Sequence, residues 1–584
     1  VGSNTVTVVN SSTLELNVGG NTWGGTTMCY GGTLKLGLDN AMPTTTVVTI
    51  GHTNNANGTL DLNGHSQHIA GLTDIVGDTG TRRIMNSAGG TPTLTVNNAS
   101  AYSYGGVLGA AGGNSFGLTK SGAGTLTLSG DNTYTGPTSV EQGVLLITSA
   151  TALADTSSGT TVETVGATLQ ISGGINVAEP ITLGGGSSGT RLQNISGTNT
   201  LSGLLTFSGS GARVVASSGT TLNITGGATT STNPTFVVNA YGTVNITTNP
   251  IDLNSGTFYT DSGGLTILAV AGNTFANTTF ASGTLRMGVA NALPSNTIFR
   301  HSGLSYGAGG TLDLNGFDQT VGALYTGPDL SRAAGSKITS STPATFTVNQ
   351  SSNRTFSGAF TEAVSLVKDG SGTLTLDGDN THTGDTTVSG GTLALSHASN
   401  NNIAASPLVQ AGVGATLDVS GLNDGTLALA SGQSLGGSGT VVGNVDVLAG
   451  AALAPGMSAG TLNLTGDLSF AQGAYFDVDI ESLNLADLVQ MSGGLLAVDD
   501  ATIRVNLGFS PELGDSWTIL QGESELTGQF NPTVDLLGGL EHLDGWKFFD
   551  VSYGNSVILT VVPEPCAWLL LLCGFACSLL VRRR

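Results

Sequence analysis

The chain has 584 residues, of which 39% are hydrophobic but only 5% aromatic and 10% charged. An ordinary globular surface carries about 25% charged residues, so polarity here must come from Thr, Ser, Asn and Gly. The formal net charge of −22 leaves no phosphate-binding footprint and excludes nucleic acid as a partner. The 89 glycines follow no strict Gly-X-Y period, which excludes collagen. Cys29, Cys566, Cys573 and Cys577 cannot form a framework that staples the body. The sequence opens on Val1 rather than Met, as expected of a chain whose signal peptide has been removed, or of a fragment.

In chain order, short predicted strands recur. Gly32-Thr33-Leu34-Lys35-Leu36 alternates apolar and polar residues, as does Gly58-Thr59-Leu60-Asp61-Leu62 before an Asn63-Gly64 turn. The block Leu118–Ile147 follows, then Ala167-Thr168-Leu169-Gln170-Ile171 and Thr221-Leu222-Asn223-Ile224. After that the text repeats itself. Gly283–Met287 repeats Gly32–Leu36, Gly310–Gly316 repeats Gly58–Gly64, and Leu366–Leu395 aligns with Leu118–Ile147 without a gap. An internal duplication therefore relates about 32–147 to 283–395. Ala415–Val419 and Gly460–Leu464 continue the pattern.

Short strands with Gly/Asn corners allow an antiparallel sandwich or a coiled parallel stack. Aromatic residues are too scarce for a sandwich core, whereas Leu, Val, Ile and Ala suit the thin interior of a solenoid. The fold expected is all-β: a right-handed parallel β-solenoid (β-helix) over 1–476. A terminal β cap is expected over 477–561, where charged and aromatic residues increase, and one short hydrophobic helix beyond it. About 500 residues at ~22 per coil, with a rise of ~4.8 Å per coil, predict a rod on the order of 100 Å long.

No HExxH or Walker motif occurs in the sequence. Asp61 and Asp313 occupy matching places in TLDLNG and read as turn-forming residues. Asp477, Asp479 and Glu481 alternate along one strand face and read as a solvated edge, and Asp499-Asp500 as a turn. Asp131-Asn132 and Asp377-Gly-Asp379-Asn380 offer oxygen atoms to Ca²⁺ but lack the Glu that completes an EF-hand loop. No cofactor is called for beyond that marginal Ca²⁺ option. His65-x-x-His68 is replaced in the duplicate by Phe317 and Thr320, so the repeat does not need it as a metal site. Lys120 and Lys368 precede repeat turns and read as solvated corners, placed to bind an acidic glycan weakly. The rival class is a polysaccharide lyase or hydrolase on a parallel β-helix, which would need convergent carboxylates on adjacent coils.

The blocks LTKSGAGTLTLSGDNTYTG and LVKDGSGTLTLDGDNTHTG resemble the autotransporter-associated β-strand repeat of bacterial exported passenger proteins. The stretch LGGSGTVVGNVDVLAGAALAPGMSAGTLNLTGDLSF resembles the run that ends many such passengers. This resemblance implies an exported, non-enzymatic surface protein.

Residues 562–584 read as an address. Pro563, Glu564 and Pro565 precede an apolar run at 566–581 and a basic end, Arg582, Arg583 and Arg584. The run is about 16 residues, just short of the ~17–25 of a comfortable membrane span, and the arginines face the cytoplasm. The layout resembles the PEP-CTERM sorting tail. That resemblance implies transient insertion in the inner membrane of a Gram-negative-type bacterium and removal by an exosortase-type enzyme. The prolines keep the recognition segment extended. The expected destination is the cell surface or extracellular matrix, with extracellular polysaccharide or the envelope surface as partner.

Overall fold

The computed structural model describes residues 4–563 apart from 53–56, 76–79, 110–113, 155, 164–165, 186–188, 210, 231, 281, 302–308, 328–334, 457, 524–525 and 538–546. Of the tail, Val562 and Pro563 are included. Glu564, Pro565, the 566–581 run and Arg582, Arg583 and Arg584 lie outside the described residues.

The period-two segments are strands, and they wind through about 20 turns of parallel β-solenoid, as the alternation predicts. The 3-10 turn Asn423–Gly425 is the sole helical element among the described residues. The chain forms two compact units: Val1–Thr297 with Leu304–Gly310, and Ile298–Gly303 with Thr311–Arg584.

In the first unit a coil has three short sides. Strands Ile181–Leu183, Thr190–Asn194 and Thr198–Leu201 make one coil. Strands Leu205–Phe207, Ala212–Ala216 and Thr221–Ile224 make the next and pair with them in parallel. Ile181 pairs with Leu205, so this coil takes 205 − 181 = 24 residues. Alternation sends Ile181, Leu183, Leu205 and Phe207 inward and leaves Thr182 and Thr206 on the outer face. Each fully buried aliphatic side chain contributes about 1.5–3 kcal/mol. Stacking thus supplies what a strand of three residues cannot supply alone.

Corners need backbone that turns sharply. Asn63 and Asn315, at matching places in the two TLDLNG segments, take φ values of 48° and 52°. Asn tolerates this left-handed region better than most residues.

The interior also contains a component that composition does not suggest. The few aromatic residues are concentrated in stacks. Phe207, Phe236, Phe258 and Phe275 follow one another in the first unit, with ring centroids 4.7, 5.8 and 5.4 Å apart. In the second unit Phe346, Phe360 and Phe356 cluster similarly, with Phe360 also 6.0 Å from His382.

The second unit is likewise parallel for most of its length. Strand Tyr475–Ser482 pairs in parallel with Thr502–Leu507, and Leu488–Met491 with Ser516–Gln521. The pattern then changes: Ser516–Gln521 pairs antiparallel with Ser556–Pro563, which also pairs antiparallel with Lys547–Tyr553. These antiparallel pairings follow the parallel coils in chain order among the described residues. Pro563 ends the last strand, where a residue without an N–H is tolerated. Among the described residues no helix is long and apolar enough to cross a membrane.

Candidate functional site

The duplicated block is the most specific feature of the sequence, and its geometry is the same in both copies. Each block pairs with itself across one coil. Leu118, Thr119 and Lys120 lie beside Thr138, Ser139 and Val140, and Leu366, Val367 and Lys368 beside Thr386, Thr387 and Val388.

Lys120 and Lys368 are not solvated corners, and they are not available to an acidic glycan. Both are completely buried, at 0% exposure. The Lys120 Nζ donates to the carbonyls of Ser121, Gly122 and Gln142 at 2.8, 2.8 and 3.0 Å. The Lys368 Nζ donates to those of Asp369, Gly370 and Gly390 at 2.8, 2.9 and 3.0 Å. An ammonium has three donors, and here each has one acceptor. The corner turns its carbonyls inward; those of Ser121 and Asp369 also accept from the Asn98 and Gln350 amides of the preceding coil, and the lysine ties its own corner to the next coil. Burial pushes each ammonium down to about 8. The sequence signal for this burial is the alternation itself: Leu118 and Lys120, two apart, share the inward face.

The next coil completes the corner with Gly143 and Gly391, at φ 70° and 62°. A Cβ there would stand 2.3 Å from the Gly122 oxygen or 2.4 Å from the Gly370 oxygen. Only glycine allows the backbones to approach so closely. Buried Asn132 and Asn380 also match: their Oδ1 atoms accept from the Leu108 and Phe360 amides at 2.8 and 2.9 Å. Tyr134 and His382 occupy equivalent places and reach Thr138 and Thr386 hydroxyls at 2.6 and 2.8 Å. The repeat motif is thus a set of backbone-satisfying plugs, and its polar residues are structural.

The turn carboxylates follow the same logic. Asp61 Oδ1 accepts from the Asn63 amide at 3.0 Å, and Asp313 Oδ1 from the Asn315 amide at 2.9 Å, which makes both turn-forming residues. The Ser149 and Thr151 hydroxyls donate to Asp131 and hold its carboxyl below the usual range. Its counterpart Asp379 lies 3.0 Å from His397. His65 lies 3.3 Å from Asp39, whereas His68 donates its backbone amide to Asn40 Oδ1. Among the described residues no group of three or more His, Cys, Asp or Glu side chains is placed to hold a metal ion.

Asp477, Asp479 and Glu481 do share an outer strand face, but the edge is paired. Asp477 makes a bidentate ion pair with Arg504, both contacts 2.6 Å, and that guanidinium lies 4.0 Å from the Tyr475 ring centre. Asp479 accepts from Asn506 at 3.0 Å. Nothing in the local sequence singles out Asp487. It is buried and accepts from the Gly460 and Asp479 amides, both at 2.8 Å. Burial, with the charges of Asp479 and Glu481 nearby, pushes its carboxyl up to about 7. It pins the Gly460 segment to the strand beside it. Asp500 sits at φ 51°, as a turn residue.

The outer faces are organised in rows. Thr119, Ser139, Thr161, Thr182, Thr206 and Thr229 are consecutive register partners on one side of the first unit. On another side Asn245 donates to Asn223 at 2.8 Å, and Asn223 to Thr200 at 3.4 Å.

Residues 118–147 and 366–395 match the Passenger-associated-transport-repeat family. Over 175 residues the chain is 29% identical to an extracellular serine protease of Serratia marcescens, covering 28% of this chain and 14% of that protein. Over 181 residues it is 29% identical to the adhesin BmaC autotransporter of Brucella suis biovar 1 (strain 1330), covering 30% of this chain and 5% of that protein. The chain therefore spans a small part of the curated relatives that it matches. With buried lysines, asparagines and corner glycines in corresponding places, the two blocks that match this family are built alike into a parallel β-solenoid.

Proposed function

We propose that this protein is an exported, non-catalytic β-solenoid with a structural or adhesive role at the cell surface or in the extracellular matrix of a Gram-negative-type bacterium. The observation that carries this reading is the ordered outer row of hydroxyls from Thr119 to Thr229. A row of identical weak contacts gains avidity from number, without any single strong site. Similarity to an adhesin autotransporter supports the same reading. Its partner in this role is an extracellular polysaccharide or the envelope surface.

Delivery belongs to the tail. An exosortase-type enzyme recognises Pro563, Glu564 and Pro565 while 566–581 is inserted in the inner membrane and Arg582, Arg583 and Arg584 remain on the cytoplasmic side. Mass spectrometry of the protein recovered from the envelope and the medium tests this. Its C-terminal peptide is expected to end in the Pro-Glu-Pro region, with 566–584 missing. An intact Arg584 would overturn sorting in favour of a plain anchor. Polysaccharide turnover abolished by one Asp→Asn change would overturn the non-catalytic role in favour of a lyase or hydrolase.

A further inference from the structure

We propose that a groove along one corner of the first unit is a carbohydrate-binding site, which seats an uncharged pyranose oligosaccharide against the ring of Tyr241. The groove consists of two adjoining cavities of about 580 and 570 Å³ that share Gly263 and Thr284. Small-ligand clefts span roughly 300–1,000 Å³.

It lies where the chain enters four stacked strands: Thr221–Ile224, Thr243–Thr247, Leu265–Ala269 and Thr284–Met287. Two residues before these strands stand Gly219, Tyr241, Gly263 and Ser282. One aromatic residue is thus flanked by glycines on the neighbouring coils. A Cβ added at Gly219 or Gly263 would meet nothing within 4 Å, so space is open on both sides of Tyr241. Tyr241 is 57% exposed, while the phenylalanines nearest it in sequence, Phe236 and Phe258, are wholly interior. Packing does not explain a large ring left outside in a chain with so few of them. A ring that keeps a flat apolar face and a polar tip in solvent is suited to contact.

The surrounding chemistry is that of a sugar site. Ser262 has φ 79°, a region that residues other than glycine rarely adopt. It is held there by its neighbours: its amide donates to Asp261 Oδ1 at 2.8 Å, and Asn239 Nδ2 donates to its hydroxyl at 2.6 Å. Ser282 Oγ donates to the same Asp261 oxygen at 2.8 Å. This network sets two hydroxyls at the groove in fixed positions, a local strain of the kind found at binding sites. Thr243 and Thr284 add further hydroxyls, and the glycines leave peptide groups uncovered. No carboxylate lines the groove among the described residues, although the chain carries a net −22; the one charged residue lining it, Arg286, makes an interaction of its own. A pyranose offers a C–H face to an aromatic ring and a rim of hydroxyls to Ser, Thr and peptide groups. That match, in a groove without acidic residues, selects an uncharged sugar over a metal ion or a basic peptide.

The site goes beyond the distributed contacts proposed above and can fail without them. Affinity electrophoresis of the full chain tests it, through gels containing hydroxyethyl cellulose, galactomannan, dextran or arabinoxylan, with alginate as the charged arm. At least one neutral polysaccharide is expected to retard the protein. Tyr241→Ala should weaken that binding about tenfold or more, and Tyr241→Phe should keep it within about threefold. Val413→Ala, at an exposed position elsewhere, should leave binding unchanged. Far-UV circular dichroism is expected to be identical for all variants, because the substituted side chains are exposed. Retardation by alginate alone, no retardation by any neutral polysaccharide, or unchanged binding by Tyr241→Ala would overturn the proposal. Attachment of cells by the outer hydroxyl row would survive that result.

Discussion

Replacing Lys368 by Ala is expected to destabilise the coils around it by about 3–5 kcal/mol. The change strips a donor from each of three carbonyls, those of Asp369, Gly370 and Gly390, and leaves a cavity where the stem lay. A buried acceptor left unpaired costs about 1–3 kcal/mol; the Asp369 carbonyl keeps the Gln350 amide, so the cost falls on those of Gly370 and Gly390 and, with the cavity, outweighs the gain from no longer burying a cation. Lys368→Met separates the two contributions: it refills the stem volume but restores no donor, and should recover only part of the loss. Arginine should not rescue, because a planar guanidinium cannot present three donors to one point as an ammonium does. Urea unfolding, together with hydrogen exchange at the amides around 368–391, measures the effect. A loss of about 0.5 kcal/mol or less, the usual result at a surface position, would make Lys368 a solvated corner after all.

The other large effect is expected at Phe258. Its ring lies between those of Phe236 and Phe275, 5.8 and 5.4 Å away, and it is fully buried. Phe258→Ala should cost about 3–5 kcal/mol, and Phe258→Leu distinctly less, since much of the volume is retained. Because each coil rests mainly on its neighbours, the damage should concentrate in the adjacent coils. Hydrogen exchange should therefore rise first in strands Thr235–Ala240 and Asn277–Phe280, which flank Thr257–Asp261. Uniform loss of protection throughout the first unit would show that cooperativity extends further than nearest neighbours.

Much of this architecture is legible in the sequence. Period-two alternation with Gly and Asn corners specifies short strands, and the gapless match of 118–147 to 366–395 specifies repetition. Which residues meet across coils is not legible. Ile181 to Leu205 is a step of 24 residues, but Leu118 to Thr138 is one of 20, so no fixed period identifies stacking partners. The phenylalanine stacks are hidden for that reason, although every ring sits at an alternating position. Lys120 and Lys368 mislead for a different reason. A charged residue on an apolar face is usually excluded from a core, and here the inward-turned carbonyls reverse that preference. Local sequence does not reveal where spare carbonyls converge. The Tyr241 groove is equally invisible there, since it depends on the glycines of neighbouring coils flanking one ring.

The most direct test of the coil stack is cysteine cross-linking on the outer row of the first unit, with Cys566, Cys573 and Cys577 changed to Ser. Ser139 and Thr161 are register partners on adjacent parallel strands, as are Thr161 and Thr182. Strands lie about 4.8 Å apart in a sheet, within the ~4.4–6.8 Å Cα separation that a disulfide spans. Oxidation should join Ser139→Cys to Thr161→Cys, and Thr161→Cys to Thr182→Cys. It should leave Ser139→Cys paired with Thr182→Cys unjoined, because an entire strand lies between them. If the adjacent pairs stay reduced, or if the 139/182 pair closes as readily as they do, these coils do not stack in parallel register.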